Sequence, residues 1–446
     1  MRACAWLVIV QVLPAMADAK SKPRLLLLCT TTGYQTQAFV EAAEKLGLEV
    51  VFATDRCHVL EDPWQDGALP LRFEDPEAGA QRIAEYARTH AIAALVSIGD
   101  RPTPTAARAC RALGLLSHPP EAADTCRDKY RSRERLRLAG LNVPGFSRFP
   151  VDADPRRLVA AGAVGLASPW VLKPLALAAS RGVIRADTAE EFVRAFERIQ
   201  ALLRTPEVGA LREETSNFIQ VESYVEGAEI AVEGIVDRGR LRILAIFDKP
   251  DPLVGPFFEE TIYVTPSRLA PETQQHVLQI LDRAVQALGL YHGPLHAELR
   301  INSNREDVWV MEVAARPIGG LCSRALRFRI PLVDDNISLE ELLIRLALGL
   351  EVSQIYRENA AAGVMMIPIP EAGFYQETQG VDEATPGIEE VHITVKVGQK
   401  LVPLPEGSSY LGFIFGRGQS PEFVEDALRR AHEKLRFVLT PALPMI

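Results

Sequence analysis

The sequence predicts an α/β domain built on a parallel sheet, then a longer α+β region, then a small strand-rich C-terminal segment. Three observations carry that expectation. Short apolar runs alternate with amphipathic stretches of about ten or more residues up to residue 118, the pattern of a parallel sheet covered by helices. From His118-Pro119-Pro120 onward the texture changes to short strands, turn signals and leucine-rich helices. The chain is also 446 residues long, more than one ordinary core organises, so several domains are expected.

Taken in order, Arg24–Cys29 reads as a buried strand that runs into Thr30-Thr31-Thr32-Gly33, and Gln35–Leu46 as an amphipathic helix. Glu49–Ala53 is a second strand, residues 76–89 are helical, and Ile92–Ile98 is a third strand ending in Gly99-Asp100. Residues 24–118 therefore form a Rossmann-like parallel-sheet domain. Its loop TTTGYQTQ lacks G-x-G-x-x-G, so it is not read as a dinucleotide site. The next unit, 119–354, opens with a charged helix over Glu121–Leu138. Strands are expected at Phe146–Phe149, Trp170–Lys173, Gly182–Ala186 and Phe218–Val225, with a hairpin about Asp237-Arg238-Gly239 and helices at 189–203, 271–288 and 339–350. The last unit, 355–446, carries a strand at Val391–Val397 and a helix at 421–436.

Composition narrows the function. Lysine plus arginine number 49 against 58 aspartate plus glutamate, a net charge of −9, which argues against general nucleic-acid binding. A 48% hydrophobic and 24% charged chain is globular rather than disordered. The six cysteines are scattered without a C-x-x-C pair, so neither a disulfide framework nor a zinc site is expected. Residues 1–23 open MRACAWLVIVQVLPAMADA. This segment reads either as a secretory signal or, with Met16 as the start, as a polar lead-in to the first strand. Its apolar run is too short to span a bilayer.

The chemistry concentrates near residue 300. GPLHAELRI (293–301) and DVWVMEVA (307–314) flank a turn-prone Asn302-Ser303-Asn304. A hairpin centred on Arg305 sets Glu298 opposite Glu312. Like charges there, with Cβ atoms about 5 Å apart, are destabilising. A divalent cation removes the objection, since hard oxygen ligands suit Mg²⁺; two carboxylates facing open solvent would remove it too. Arg316 follows and could neutralise charge on a transferring phosphoryl group. Gly319-Gly320 then offers backbone amides to an anion.

Lys173 ends an apolar strand before an alanine-rich loop and Ser180-Arg181-Gly182-Val183, a place where an ammonium and loop amides can hold phosphate. Glu222-Ser223-Tyr224-Val225-Glu226-Gly227-Ala228-Glu229 follows a strand and could edge a flat base, with Glu229 accepting from ribose hydroxyls.

In this order, Asp128-Lys129, Lys173-Pro174, Glu222 to Glu229, Glu298, and Glu312 with Arg316, the chain resembles the ATP-grasp superfamily over roughly residues 120–330. EAADTCRDKYRSRERLRLAGLNVPGF, EVAARPIGG and the small C-terminal domain resemble the L-amino-acid ligase group of its carboxylate–amine ligases.

The resemblance implies that Lys129 and Lys173 contact the nucleotide phosphates and that Ser180, Gly182 and Val183 belong to the loop closing over them. It implies backbone contacts from Glu222 and Val225 to adenine, ribose binding by Glu229, Mg²⁺ (or Mn²⁺) held by Glu298 and Glu312, and a catalytic Arg316. By position, Glu259 or Glu260 would meet a substrate ammonium, and His296 a substrate carboxylate or phosphate. A charged loop edge and a core histidine read those residues equally well.

Two departures stand out. Ala314 replaces the asparagine many members carry, and Leu175-Ala176-Leu177-Ala178-Ala179 replaces a glycine-rich loop, which should be stiffer. The implied activity is amide formation from a carboxylate and an amine with ATP cleaved to ADP and phosphate. Its partners would be small molecules, its compartment cytoplasmic, and a homodimer compatible with it. Bicarbonate activation of the biotin-carboxylase kind and non-catalytic nucleotide binding are the alternatives.

Overall fold

The computed structural model describes residues 22–30, 35–55, 68–302, 307–331 and 335–441. The signal-like residues 1–21, the Thr31–Gly33 loop and the Arg305 turn lie outside them.

The N-terminal sheet has four parallel strands in the order Ala68–Pro70, Glu49–Thr54, Arg24–Cys29, Ile92–Ile98. Leu25 to Leu28 are fully buried because both faces of the sheet are covered, which is why this strand is a continuous apolar run rather than an alternating one. Leu26 and Leu28 pack with Phe73 and Ile83. Leu25 and Leu27 share a core with Phe39, Phe247, Phe413 and Phe415, so this face is joined to the rest of the molecule. The sequence reading missed Ala68–Pro70, an edge strand too short for a pattern and ending in proline. It also missed the helix Thr103–Leu113, which starts with proline in its first turn.

The single helix expected over Glu121–Leu138 is two, Pro120–Arg127 and Lys129–Leu138. Asp128 stands between them in an extended conformation, and its carboxylate accepts from the amides of Tyr130 and Arg131. An aspartate cap ends one helix and starts the next, and it sets Lys129 at the first position of the second.

A smaller antiparallel sheet follows, ordered Phe146–Pro150, Phe218–Ser223, Trp170–Pro174, Ile184–Ala186. The helix Ala189–Leu203 covers it, started by a Thr188/Glu191 capping box. Phe192, Phe196 and Ile199 fill a core separate from the others.

The central sheet has eight antiparallel strands: Asp307–Ala314, Gly293–Asn302, Ala228–Asp237, Arg240–Asp248, Ile262–Thr265, Ala361–Ile367, Gly412–Gly418 and Ile388–Ile393. The last three come from the C-terminal segment. The change of texture at residue 355 is therefore no break in the sheet: Ile262–Thr265 pairs directly with Ala361–Ile367. The expected strand Val391–Val397 is displaced to Ile388–Ile393, and the helix at 421–436 ends at Lys434 before an edge strand, Arg436–Thr440. No helix among the described residues is long and apolar enough to cross a membrane.

Candidate active site

The floor of the site is one face of the central sheet. Along Gly293–Asn302, Leu295, Ala297, Leu299 and Ile301 point into the core, and the alternate positions carry His296, Glu298 and Arg300. Register gives each a defined neighbour on Ala228–Asp237: His296 faces Glu233, Glu298 faces Ala231, and Arg300 faces Glu229. Two opposite-charge pairs thus flank a carboxylate that has only a methyl group across from it. Arg300 Nε lies 2.8 Å from Glu229, and its remaining nitrogens donate to the carbonyls of Val225 and Leu253. This guanidinium fixes both ends of the Val225–Glu229 turn. Gly227 sits in that turn at φ +138°, and a Cβ there would stand 2.4 Å from the Ile301 carbonyl oxygen.

On the other side Glu298 pairs with Glu312, as the sequence predicts, but not through a symmetric hairpin. The outer register is Asn302 with Asp307 and Leu299 with Val310, and a bulge then leaves Met311 as the extra residue. Its carbonyl is taken by the guanidinium of Arg133, which is buried and also bonds Glu222 at 2.8 Å.

Lys249, at the end of Arg240–Asp248, is the residue that sequence reasoning most needed and lacked. Its ammonium is 2.5 Å from Glu260, 2.8 Å from Glu229 and 3.3 Å from Glu298. These three acids lie close enough to hold a metal ion, but here they surround an ammonium. Burial opposes the charge on Lys249, yet its three acids raise its pKa well above the ordinary value. Burial raises Glu260, while Lys249 and His296 hold Glu298 well below the carboxylate range against its own desolvation. His296 is pushed up to about 9: burial opposes this, and hydrogen bonds to Glu233 and Glu298 outweigh it. It is protonated at neutral pH, between two carboxylates.

Above the floor, Lys129 reaches Glu312 at 3.5 Å and the Leu177 carbonyl at 3.1 Å. Lys173 lies 2.6 Å from Glu222. Arg316 bonds Asp100, on the loop after the last N-terminal strand, at 2.8 Å. Asp100 has its pKa lowered: burial opposes, and Arg316 prevails. Ile318 donates its amide to Glu233, and Gln35 reaches the Ile318 carbonyl.

Most of these groups line one cavity of about 340 Å³; Lys249, Glu233 and Arg133 stand behind its wall. Of the residues expected from sequence, Lys129, Lys173, Ser180, Val183, Glu222, Val225, Glu229, Glu260, His296, Glu298, Glu312, Arg316, Gly319 and Gly320 all face it. Three are placed differently. Glu222 is in mid-strand between Phe146 and Val171, so it offers no free backbone edge; its carboxylate instead organises Arg133, Lys173 and Gln220. Gly182 is outside the lining and gives its amide to Pro405. Glu259 is half-buried outside the lining, its pKa raised by burial alone. The cavity also collects Tyr263, Cys322, Met366, Ser408 and Tyr410, none of which the sequence connects with the site.

Glu298, Glu312 and the cavity around them fit a hard divalent cation. Register brings the two carboxylates together, both line the cavity, and Glu298 stays ionised across the ordinary pH range.

Three family models match the chain. The ATP-grasp N-terminal domain covers residues 40–116, an ATP-grasp domain covers 166–325, and L-amino acid ligase C-terminal domain 2 covers 365–440. The L-amino acid ligase of Bacillus licheniformis superposes with a TM-score of 0.77 at 27% identity, over 94% of this chain and all of that one. Alanine–anticapsin ligase of Bacillus subtilis is 28% identical over 301 residues, 64% of this chain. The chain spans about three fifths of that protein's length, 62%. The biotin carboxylase domain of the Hydrogenobacter thermophilus 2-oxoglutarate carboxylase has a TM-score of 0.64 at 18% identity, over 94% of this chain and 91% of that one, a likeness of fold alone.

Fold and site define an ATP-grasp enzyme, an ADP-forming carbon–nitrogen ligase. The chain carries an ATP-grasp domain over residues 166–325 and is similar to the L-amino-acid ligases.

Proposed function

We propose that this protein activates the carboxylate of an amino acid as an acyl phosphate and joins it to the amine of a second small molecule. The observation that carries the reading is the arrangement around Glu298. Paired carboxylates that fit Mg²⁺, two lysines and an arginine share one cavity with Glu260, which belongs to a second cluster: Glu229, Glu260 and Glu298 around the ammonium of Lys249. Binding of a nucleotide alone requires no such second cluster.

In the first step a carboxylate oxygen attacks the γ-phosphorus of ATP and the bond to the bridging oxygen breaks, releasing ADP. Lys129 and Lys173 hold the phosphates, and Arg316, oriented by Asp100, faces the charge that develops on the transferred group. Bound Mg²⁺, held by Glu298 and Glu312, supplies charge neutralisation for the triphosphate. In the second step the amine nitrogen attacks the acyl carbon; phosphate leaves as hydrogenphosphate, taking up the amine proton. Glu260 orients the amino acid through its ammonium group, and His296, protonated, faces the carboxylate side. Excluding water preserves the acyl phosphate, and the loop over residues 175–183 is the element that does so.

The test is phosphate release from ATP and Mg²⁺ with amino acids supplied singly and in pairs, and Glu312→Ala as the control. Release that requires particular amino acids, disappears in the variant and accompanies an amide product supports the reading. Release stimulated by bicarbonate instead, or ATP binding without stimulated release by any amino acid, defeats it.

A further inference from the structure

The nucleotide loop is pinned at both of its ends, and the second pin comes from an unexpected place. At its start, Lys129 donates its amide to the Leu175 carbonyl at 3.3 Å and its ammonium to Leu177. At its end, the Gly182 amide bonds the Pro405 carbonyl at 2.8 Å, and Arg181 Nε bonds the Glu406 carbonyl at 2.7 Å. The Glu406 carboxylate in turn receives both Nε and Nη2 of Arg198, on the helix that covers the small sheet. Residues 403–410 belong to the C-terminal segment, more than two hundred positions away in sequence. A few residues further along the same segment, Ser408 and Tyr410 line the cavity beside Glu260 and Tyr263.

We propose that residues 403–410 form a strap coupling closure of the nucleotide loop to the substrate end of the cavity, with Glu406 as its positioning residue. The proposal rests on the ligase reading only for what occupies the cavity. Two features support it. The strap's shape is tightly set: Gly407 bonds Pro403 at 2.9 Å, and a Cβ at Gly407 would come 1.7 Å from the Val402 carbonyl oxygen. Arg198 and Glu406 are each more than a third exposed, at 45% and 38%, and exposed pairs of this kind add little to stability. What the pair does control is where the loop's closing edge sits.

One polar group of the strap is still unspent. Among the described residues, the Tyr410 hydroxyl has no hydrogen-bond partner, although its ring is packed edge-on against Phe413 at 5.9 Å. Tyrosine hydroxyls in such surroundings usually find a partner, and the open side here is the cavity. A ligand group that bonds Tyr410 steadies the strap, and the strap anchors Arg181 and Gly182 at the end of the nucleotide loop. Linkage makes the effect reciprocal: nucleotide that draws the loop down also settles Tyr410.

The experiment uses the full chain and a nonhydrolysable ATP analogue with Mg²⁺. Calorimetric titration gives the affinity of wild type, Glu406→Ala, Arg198→Ala and the charge-swapped Arg198→Glu/Glu406→Arg. Hydrogen exchange follows residues 403–410 with and without the analogue. The expected result is about fivefold to tenfold weaker binding in each single variant at unchanged melting temperature. The swap should return affinity to within about twofold of wild type, and the analogue should slow exchange over 408–410. Single variants that bind as wild type does, a swap that restores nothing, or exchange untouched by the analogue overturns the strap and leaves the ligase reading standing. Tight, strap-dependent binding together with phosphate release indifferent to amino acids does the reverse.

Discussion

On the floor of the cavity each functional side chain has a neighbour assigned by strand register; on the nucleotide lid each depends on a segment far away in sequence. His296, Glu298 and Arg300 occupy alternate positions of one strand and meet Glu233, Ala231 and Glu229 directly across. Lys173 meets Glu222 within its own small sheet, but Ala179, Ser180 and Arg181 lie on a loop with no ladder to hold it, and Ala179 and Ser180 adopt φ of 55° and 54°. Non-glycine residues there store strain of about 1 kcal/mol each. A rigid floor can hold charges close together because their positions do not fluctuate. The loop over residues 175–183 has no ladder of its own, and its anchors come from outside it: Lys129, Glu207, Pro405 and Glu406.

If the floor is rigid because its charges compensate one another, removing the central cation should do the largest damage. Lys249→Met leaves Glu229, Glu260 and Glu298, all partly buried, together without their shared ammonium. We expect a loss of about 3–5 kcal/mol of stability, read as a fall in the urea midpoint; an unchanged midpoint would break the contrast outright. Next in size is Arg316→Ala, which should lower kcat by about 10²–10³-fold while the affinity for an ATP analogue changes little. A variant that loses analogue binding instead would move Arg316 from the transferred group to the bound nucleotide.

The joint between floor and N-terminal sheet should respond to pH. His118 accepts the Tyr291 amide at Nδ1, so its proton is on Nε2 and is donated to the Pro294 carbonyl at 2.8 Å. Burial, more than the proximity of His292, pushes its pKa down to about 4, against the hydrogen bond to Pro294. With the folded value depressed, the unfolded chain binds the proton more readily. Stability is therefore intact above pH 6.5 and is lost as pH falls from 6.5 toward 4, by up to about 3 kcal/mol. Thermal melting across that window should slope in wild type and flatten in His118→Asn.

The smallest expected effect lies on the lid. Ala179→Gly relieves a left-handed alanine at some entropic cost, so a net gain below about 1 kcal/mol is expected, seen as slower exchange of amides 178–183. Faster exchange would mean that the alanine's stiffness outweighs its strain.

The same contrast decides what could be read from sequence. Alternation along Gly293–Asn302 exposes the polar face, and the Glu298–Glu312 pair is correctly found. The symmetric turn on Arg305 that suggested it is not the observed register, because a bulge inserts Met311 without disturbing the polar pattern. Arg300 was legible by the same alternation as His296 and was overlooked. Lys249 and Glu233 were not legible: each is a single charged residue in or beside a hydrophobic strand, with the three acids of Lys249 lying 11, 20 and 49 residues away on different elements and the partner of Glu233 lying 63 residues away. The strap at 403–410 had no signal beyond its prolines and Gly407, since its role exists only through contacts with Arg181 and Arg198.

The hydrogen bond between Asp100 and Arg316 has a bearing on how such proteins can be recombined. The partner that aims this arginine is contributed by the opening quarter of the chain, and the Leu25–Leu27 face shares one core with Phe413 and Phe415 near the other end. A hybrid made by exchanging the N-terminal sheet at the His118-Pro119-Pro120 junction would replace Asp100 and eleven of the 36 buried residues of that core in a single cut. The unit that can be exchanged without loss is therefore a set of contacts, Asp100 with Arg316 and Leu27 with its aromatic neighbours, rather than a stretch of sequence.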